Sequence, residues 1–158
     1  MVTQLFCIKT TDMKHLLFST THDLTGFVLR IVLGGIILPH GAQKLLGWFG
    51  GYGFTSTMKF FTDTMKLPWI VALLVIVIEF FGAAALIAGF ASRLWALGLL
   101  VIMLGAIITT NYKNGLFMNW FGTQNGEGYE YHLLVIGICI AIILAGSGRY
   151  SIDNLVTK

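Results

Sequence analysis

Between Pro68 and Phe90 the chain reads PWIVALLVIVIEFFGAAALIAGF, a run of 23 residues whose one charged side chain is Glu79. A helix needs about 20 apolar residues to cross roughly 30 Å of bilayer hydrocarbon, and this run is long enough to do so. Three further runs approach that length, from Leu24 to Leu46, from Leu94 to Tyr112 and from Glu130 to Ala145. Composition agrees: 56% of the 158 residues are hydrophobic, 11% are charged and the mean hydropathy is +0.83. Soluble domains carry about 25% charged residues. Separated apolar runs are also unlike the short alternating segments of a lipid-exposed β-barrel. The reading is an all-α integral membrane protein, a four-helix transmembrane bundle over residues 24–153, with a polar tail at 1–23 and a short one at 154–158. The formal charge of +3 and pI near 9.0 come without a dense basic run, so nucleic acid is not an expected partner and membrane lipids are.

Two of the four runs are incomplete. The first is unbroken only to Leu38 and the fourth only from Leu133, so each must draw polar neighbours toward the membrane edge: His40, Gln43 and Lys44 in one case, Glu130 and His132 in the other. Because spans alternate in direction, the end of the first and third and the start of the second and fourth share one face. That face also receives Asn111, Tyr112 and both long connections, residues 47–67 and 113–129. The other has only a tight turn around Ala91 to Arg93.

The connections have their own patterns. Phe54, Met58, Phe61 and Met65 recur at helical spacing among polar residues, which predicts an interfacial amphipathic helix that stops before Pro68. Glycines in FGGYGF would turn the chain into it. The second connection mixes Phe117, Trp120, Phe121 and Tyr129 with glycines, the composition of an aromatic loop at headgroup depth, and together the two could form a lid. Lys9, Lys14, Arg93, Arg149 and Lys158 lie on the tail side, against Lys44, Lys59, Lys66 and Lys113 on the loop side. That bias favours cytoplasmic termini.

Glu79 is the first candidate for chemistry, since a charge inside a span usually faces the bundle interior with a partner or handles a proton. Counting inward from the lidded ends at 1.5 Å per residue puts Glu79 about 15 Å deep, Arg30 about 24 Å and His40 about 9 Å. Both Arg30 and His40 are therefore reachable partners, and Arg30, His40 and Lys44 share one stripe of the first span. A buried structural Glu79–Arg30 pair is the plainer alternative. Pro39 cannot donate to the Gly35 carbonyl and so frees an acceptor just below His40. No histidine or carboxylate pair has the HExxH or Glu-x-x-His spacing of a metal site. Cys7 and Cys139 lie too far apart in sequence for a CxxC pair, and Cys139 reads as core. Gly98 and Gly105 read as a helix-packing seam. A small polar pocket under a lid suits a lipophilic carbonyl compound such as a quinone headgroup.

Three ordered blocks, RIVLGGIILPHGAQKLLGWFGGYGF, IEFFGAAALIAGFASRLWAL and GEGYEYHLLVIGICIAIILAGSGRYSID, resemble the DoxX family of small four-span bacterial membrane proteins. The family pattern falls on His40, Gly41, Gln43, Lys44, Gly50, Gly51, Glu79, Gly82, Arg93, Glu130, Gly148, Arg149, Ser151 and Asp153. The resemblance implies a membrane subunit of a quinone-linked redox system, with sulfur or thiol chemistry in some relatives and a soluble redox partner beside them. On that reading Glu79 and His40 handle protons, and Gln43, Lys44, Glu130, His132 and Arg30 bind a quinone or small sulfur substrate. The alternative is a non-enzymatic scaffold, or a binder or carrier of lipophilic molecules.

Overall fold

The computed structural model describes Phe18, Thr20 and residues 23–156. Cys7, Lys9, Lys14, Lys158 and nearly all of the polar tail expected at 1–23 lie outside the described residues. Every regular element described is helical: α1 (Thr25–Leu46), α2 (Gly53–Lys59, continued as a π turn Phe60–Thr64), α3 (Trp69–Ala88), α4 (Ser92–Asn114), α5 (Glu130–Ala145) and the short α6 (Ile152–Val156). Helices α1, α3 and α4 are long and apolar enough to cross a membrane, and α5, at 16 residues, supplies a shorter apolar fourth. The chain is an all-α membrane bundle.

The bundle is a ring in which α1 packs on α3 and α5, and α4 packs on α3 and α5. Leu33, Ile37, Ala83, Leu86, Ala96, Leu99, Met103, Val135, Cys139 and Ile142 fill its centre. Val28, Val32 and Ile36 on α1, and Leu97, Leu104 and Ile108 on α4, are exposed on the outer surface, where acyl chains would cover them. The amphipathic helix forms where its spacing predicts, with a closer docking than an interfacial position requires. Met58 and Phe61 are buried against Ala72 and Ile76 of α3, making a second small core.

Helices α1 and α3 come together on two glycines seven residues apart. A Cβ at Gly34 would meet the Ala83 carbonyl at 2.8 Å, and one at Gly41 would meet the Glu79 carbonyl and Phe80 Cα at 2.6 Å. Since backbone cannot yield as a side-chain tip can, Gly41→Val is expected to cost about 3 kcal/mol or more, the upper end of overpacking. Gly35→Val, on the same helix with nothing within 4 Å of its Cβ, is the control and should leave the melting temperature in detergent nearly unchanged.

The face expected to hold only a tight turn holds a polar clasp as well. Arg30, 1% exposed, donates from Nε to the Ser147 carbonyl (3.0 Å), from one terminal nitrogen to Leu86 (3.2 Å) and Ile87, and from the other to Arg149 (3.3 Å) and Tyr150 (2.6 Å). All the donors of its guanidinium fork are thereby used. Beside it, buried Asp153 accepts from the Ala91 and Ser92 amides (2.7 and 3.2 Å) and from the Ser147 hydroxyl. It thus satisfies donors at the start of α4 that the helix itself cannot. Segment 147–153 ties α1, the end of α3 and the start of α4 together.

Candidate functional site

At the opposite end the ring opens into a cavity of about 690 Å³. Every element of that half lines it: Ile37, His40 and Lys44 from α1, Phe61 from α2, Val71, Val75 and Glu79 from α3, Val101, Ile102, Met103, Gly105, Ala106, Thr109, Thr110 and Asn111 from α4, and Tyr131 and His132 from α5. Met118, Glu127 and Gly128 of the second connection close it from above.

Local helix geometry aims these residues. Three π turns occur among the described residues, Phe60–Thr64, Ile78–Gly82 and Ile107–Asn111, and each contributes to the cavity wall through Phe61, Glu79 or Asn111. Such an inserted residue rotates the side chains beyond it, which is why π turns so often sit at functional sites. Glu79 is 5% exposed and forms an ion pair with Lys44 Nζ. Gly41 brings α1 against the α3 backbone one turn from Lys44, and this close approach lets the lysine reach across.

His40 is exposed toward the cavity, with its ring centroid 6.4 Å from that of Tyr131. Tyr131 in turn lies edge-on to His132 at 5.6 Å. Two polar atoms here, Tyr131 Oη and His132 Nδ1, are buried without a hydrogen-bond partner among the described residues. Buried polar atoms in native proteins are overwhelmingly paired, so these two are exceptions; they belong to residues that line the cavity, although neither atom is itself open to it.

Four of the residues expected to form the site, His40, Lys44, Glu79 and His132, therefore line one cavity. The other three do not. Arg30 lies in the clasp at the far end of α1, and the partner of Glu79 is Lys44. Gln43 donates from Nε2 to the Phe49 carbonyl (3.1 Å) and holds the turn after α1, where Gly47 takes the left-handed conformation at φ 74°. Glu130 accepts from the Met118 amide (3.3 Å) and fastens the lid loop to α5. That loop is also tied by Asn111 Nδ2 to the Glu127 carbonyl (2.9 Å). Its aromatics Phe117, Trp120 and Phe121 point outward, 66%, 76% and 90% exposed, while Met118 faces in. Tyr131 is the addition that sequence reasoning missed; its signal is its place one residue before His132 at the start of an apolar run.

Fold and cavity together define a small helical membrane protein with a polar-headed pocket inside its bundle. The DoxX family profile matches residues 26–112, and the chain belongs to the DoxX family. It is 32% identical over 136 residues to the protein named "Putative oxidoreductase CatD" of Bacillus subtilis (strain 168), covering 86% of this chain and 90% of that one. It is 27% identical over 138 residues to "Inner membrane protein YqjF" of Escherichia coli (strain K12), covering 86% and 95%. No solved structure matches the chain.

Proposed function

We propose that this protein is the membrane subunit of a quinone-linked oxidoreductase and that the cavity takes the quinone headgroup. The observation that carries the reading is the pair of unpartnered atoms, Tyr131 Oη and His132 Nδ1, in residues lining an otherwise largely apolar cavity beside the Lys44–Glu79 pair. A quinone presents two carbonyl acceptors on a flat apolar ring. Both atoms are shielded from the cavity, so a guest must first turn these side chains; Tyr131 then donates to one carbonyl, and His132 does so from Nδ1 in the tautomer that places the proton there. Reduction to the quinol takes up two electrons and two protons. Lys44 would offset negative charge building on the oxygens, and Glu79 and His40 would deliver protons. The electrons must come from a soluble redox partner or a bound cofactor, for the chain's own residues include no obvious carrier. A relative named as an oxidoreductase supports the same class of activity.

The inner membrane is the proposed location, with the clasp side cytoplasmic. Lys44 is engaged with Glu79, so the topogenic count becomes Arg93 and Arg149 with Lys9, Lys14 and Lys158 against Lys59, Lys66 and Lys113. A soluble sulfur or thiol substrate is a weaker fit to a cavity walled by Val71, Val75, Val101 and Ile102.

The test is thermal stability of the purified protein titrated with a short-chain quinol. A saturable rise in melting temperature, reduced at least about tenfold in apparent affinity by Tyr131→Phe with His132→Ala, is expected. No rise up to the solubility limit would remove the reading. The exposed Phe117, Trp120 and Phe121 favour a second one, a scaffold that docks a protein on the lid. Capture of that protein would then survive Glu79→Gln and fail when loop 113–129 is replaced.

A further inference from the structure

Gly98 and Gly105 are seven residues apart and share one face of α4, because seven residues make almost two full turns. Their surroundings differ. A Cβ at Gly98 would touch Ile78 of α3 at 3.2 Å, whereas one at Gly105 would have nothing within 4 Å. Nearer the turn the two helices are closer still, for a Cβ at Gly82 would meet the Trp95 ring at 2.7 Å. The sequence suggests one packing seam, yet α3 and α4 follow it only halfway and then part.

Beyond Gly98 the gap is flanked by Val71 and Val75 on α3 and by Val101 and Gly105 on α4, all in the cavity wall. Val71 and Val101, both in that wall, are 40% and 60% exposed. Val101 lies ten residues below Asn111, about 15 Å along the helix and so near the middle of the hydrocarbon. The upper part of α4 is also irregular. Its upper end is the π turn Ile107–Asn111, and Thr109 and Thr110 hydrogen-bond back to the Gly105 and Ala106 carbonyls (2.8 and 2.6 Å), an arrangement that bends helices. At the aqueous end the lid loop is fastened by its contacts with Glu130 and Asn111.

We infer that the cavity opens sideways into the bilayer between α3 and α4, and that its ligand is a single-tailed amphiphile. The compact head sits against Tyr131 and His132, and the apolar tail leaves past Val71, Val101 and Gly105 into the acyl chains. This rests on the headgroup site proposed above and adds the ligand's shape and its route. An entry within the hydrocarbon selects for tail, because a tailed molecule is already concentrated in the lipid phase and keeps its tail there when bound.

The probe is a decyl benzoquinone with a diazirine at the end of its tail, photolysed with the protein in lipid nanodiscs and mapped by peptide mass spectrometry. Label competed by untagged decylquinone is expected on residues 69–77 of α3 and 98–106 of α4. Gly105→Trp, filling open space, should weaken decylquinone competition by about tenfold or more and leave a tail-less dimethoxy-methyl-benzoquinone within about twofold. Val101→Trp is the second variant should Gly105→Trp fail to fold. Competed label on loop 113–129, or tailed and tail-less quinones equally affected by the tryptophan, overturns the lateral route and leaves the headgroup site standing. Absence of saturable binding by either quinone to the unaltered protein overturns both.

Discussion

Arg30→Met is expected to lower stability by about 3–5 kcal/mol, the range for removing one member of a buried charged network. The variant strands the carbonyls of Ser147, Leu86, Ile87, Arg149 and Tyr150, all now served by one guanidinium. Each stranded acceptor adds its own desolvation penalty, and the buried Asp153 loses its nearby counter-charge. Arg30→Lys separates the causes. Lysine keeps the charge but offers three donors at one point rather than five in a plane, so it should recover less than half of the loss. Thermal unfolding in a fixed detergent is the measurement. A lysine variant as stable as the unaltered protein would mean that charge alone, and not the planar fork, holds the clasp.

The second large effect is expected at the other end of α1. Lys44→Met leaves Glu79 buried without its cation and should cost about 2–4 kcal/mol; the lysine's remaining exposure keeps this below the full penalty for a dry pair. Glu79→Gln in the same chain removes the orphaned charge, so the double variant should be more stable than Lys44→Met alone by at least about 1 kcal/mol. Equal losses in the single and double variants would show that Glu79 carries no penalty once its lysine is gone. For the proposed chemistry the order reverses: the double variant, although better folded, should show the weaker response to quinol.

Much of the fold can be read without coordinates because membrane solvent leaves so few choices. Apolar runs bounded by Leu46, Pro68, Arg93 and Ala145 mark spans within one or two residues, since no backbone group can be left unpaired in lipid. The partner of Glu79 was harder to read, for a geometric reason. Depth counted from span ends assumes that the ends are level. Gly41, five residues from the end of α1, packs on Glu79, ten residues from the start of α3, so α3 stands higher and Lys44 comes within reach. Arg30 is illegible for a different reason: its partners are backbone carbonyls, which leave no residue-type signature. Glu130 and Gln43 carry the residue types of a site yet hold loops, a distinction made only by which way each side chain points. Tyr131 looks in sequence like one more interfacial aromatic, and only its place in the cavity wall and its buried, unpaired hydroxyl set it apart.

The clasp also has a bearing on how the protein is made. Arg30 enters the membrane with the first span, while three of the carbonyls that receive it belong to residues 117 to 120 positions later in the chain. A ribosome adding about 5–20 residues per second leaves that guanidinium without its final partners for roughly 6–24 seconds. Over that interval Arg30, five residues from the start of α1, can turn its long side chain to the nearby interface, which keeps its cost below that of a charge at mid-depth. A chain that ends before Ser147 leaves three of the five hydrogen bonds of the Arg30 guanidinium unmade, so the clasp closes only after every membrane helix has been made.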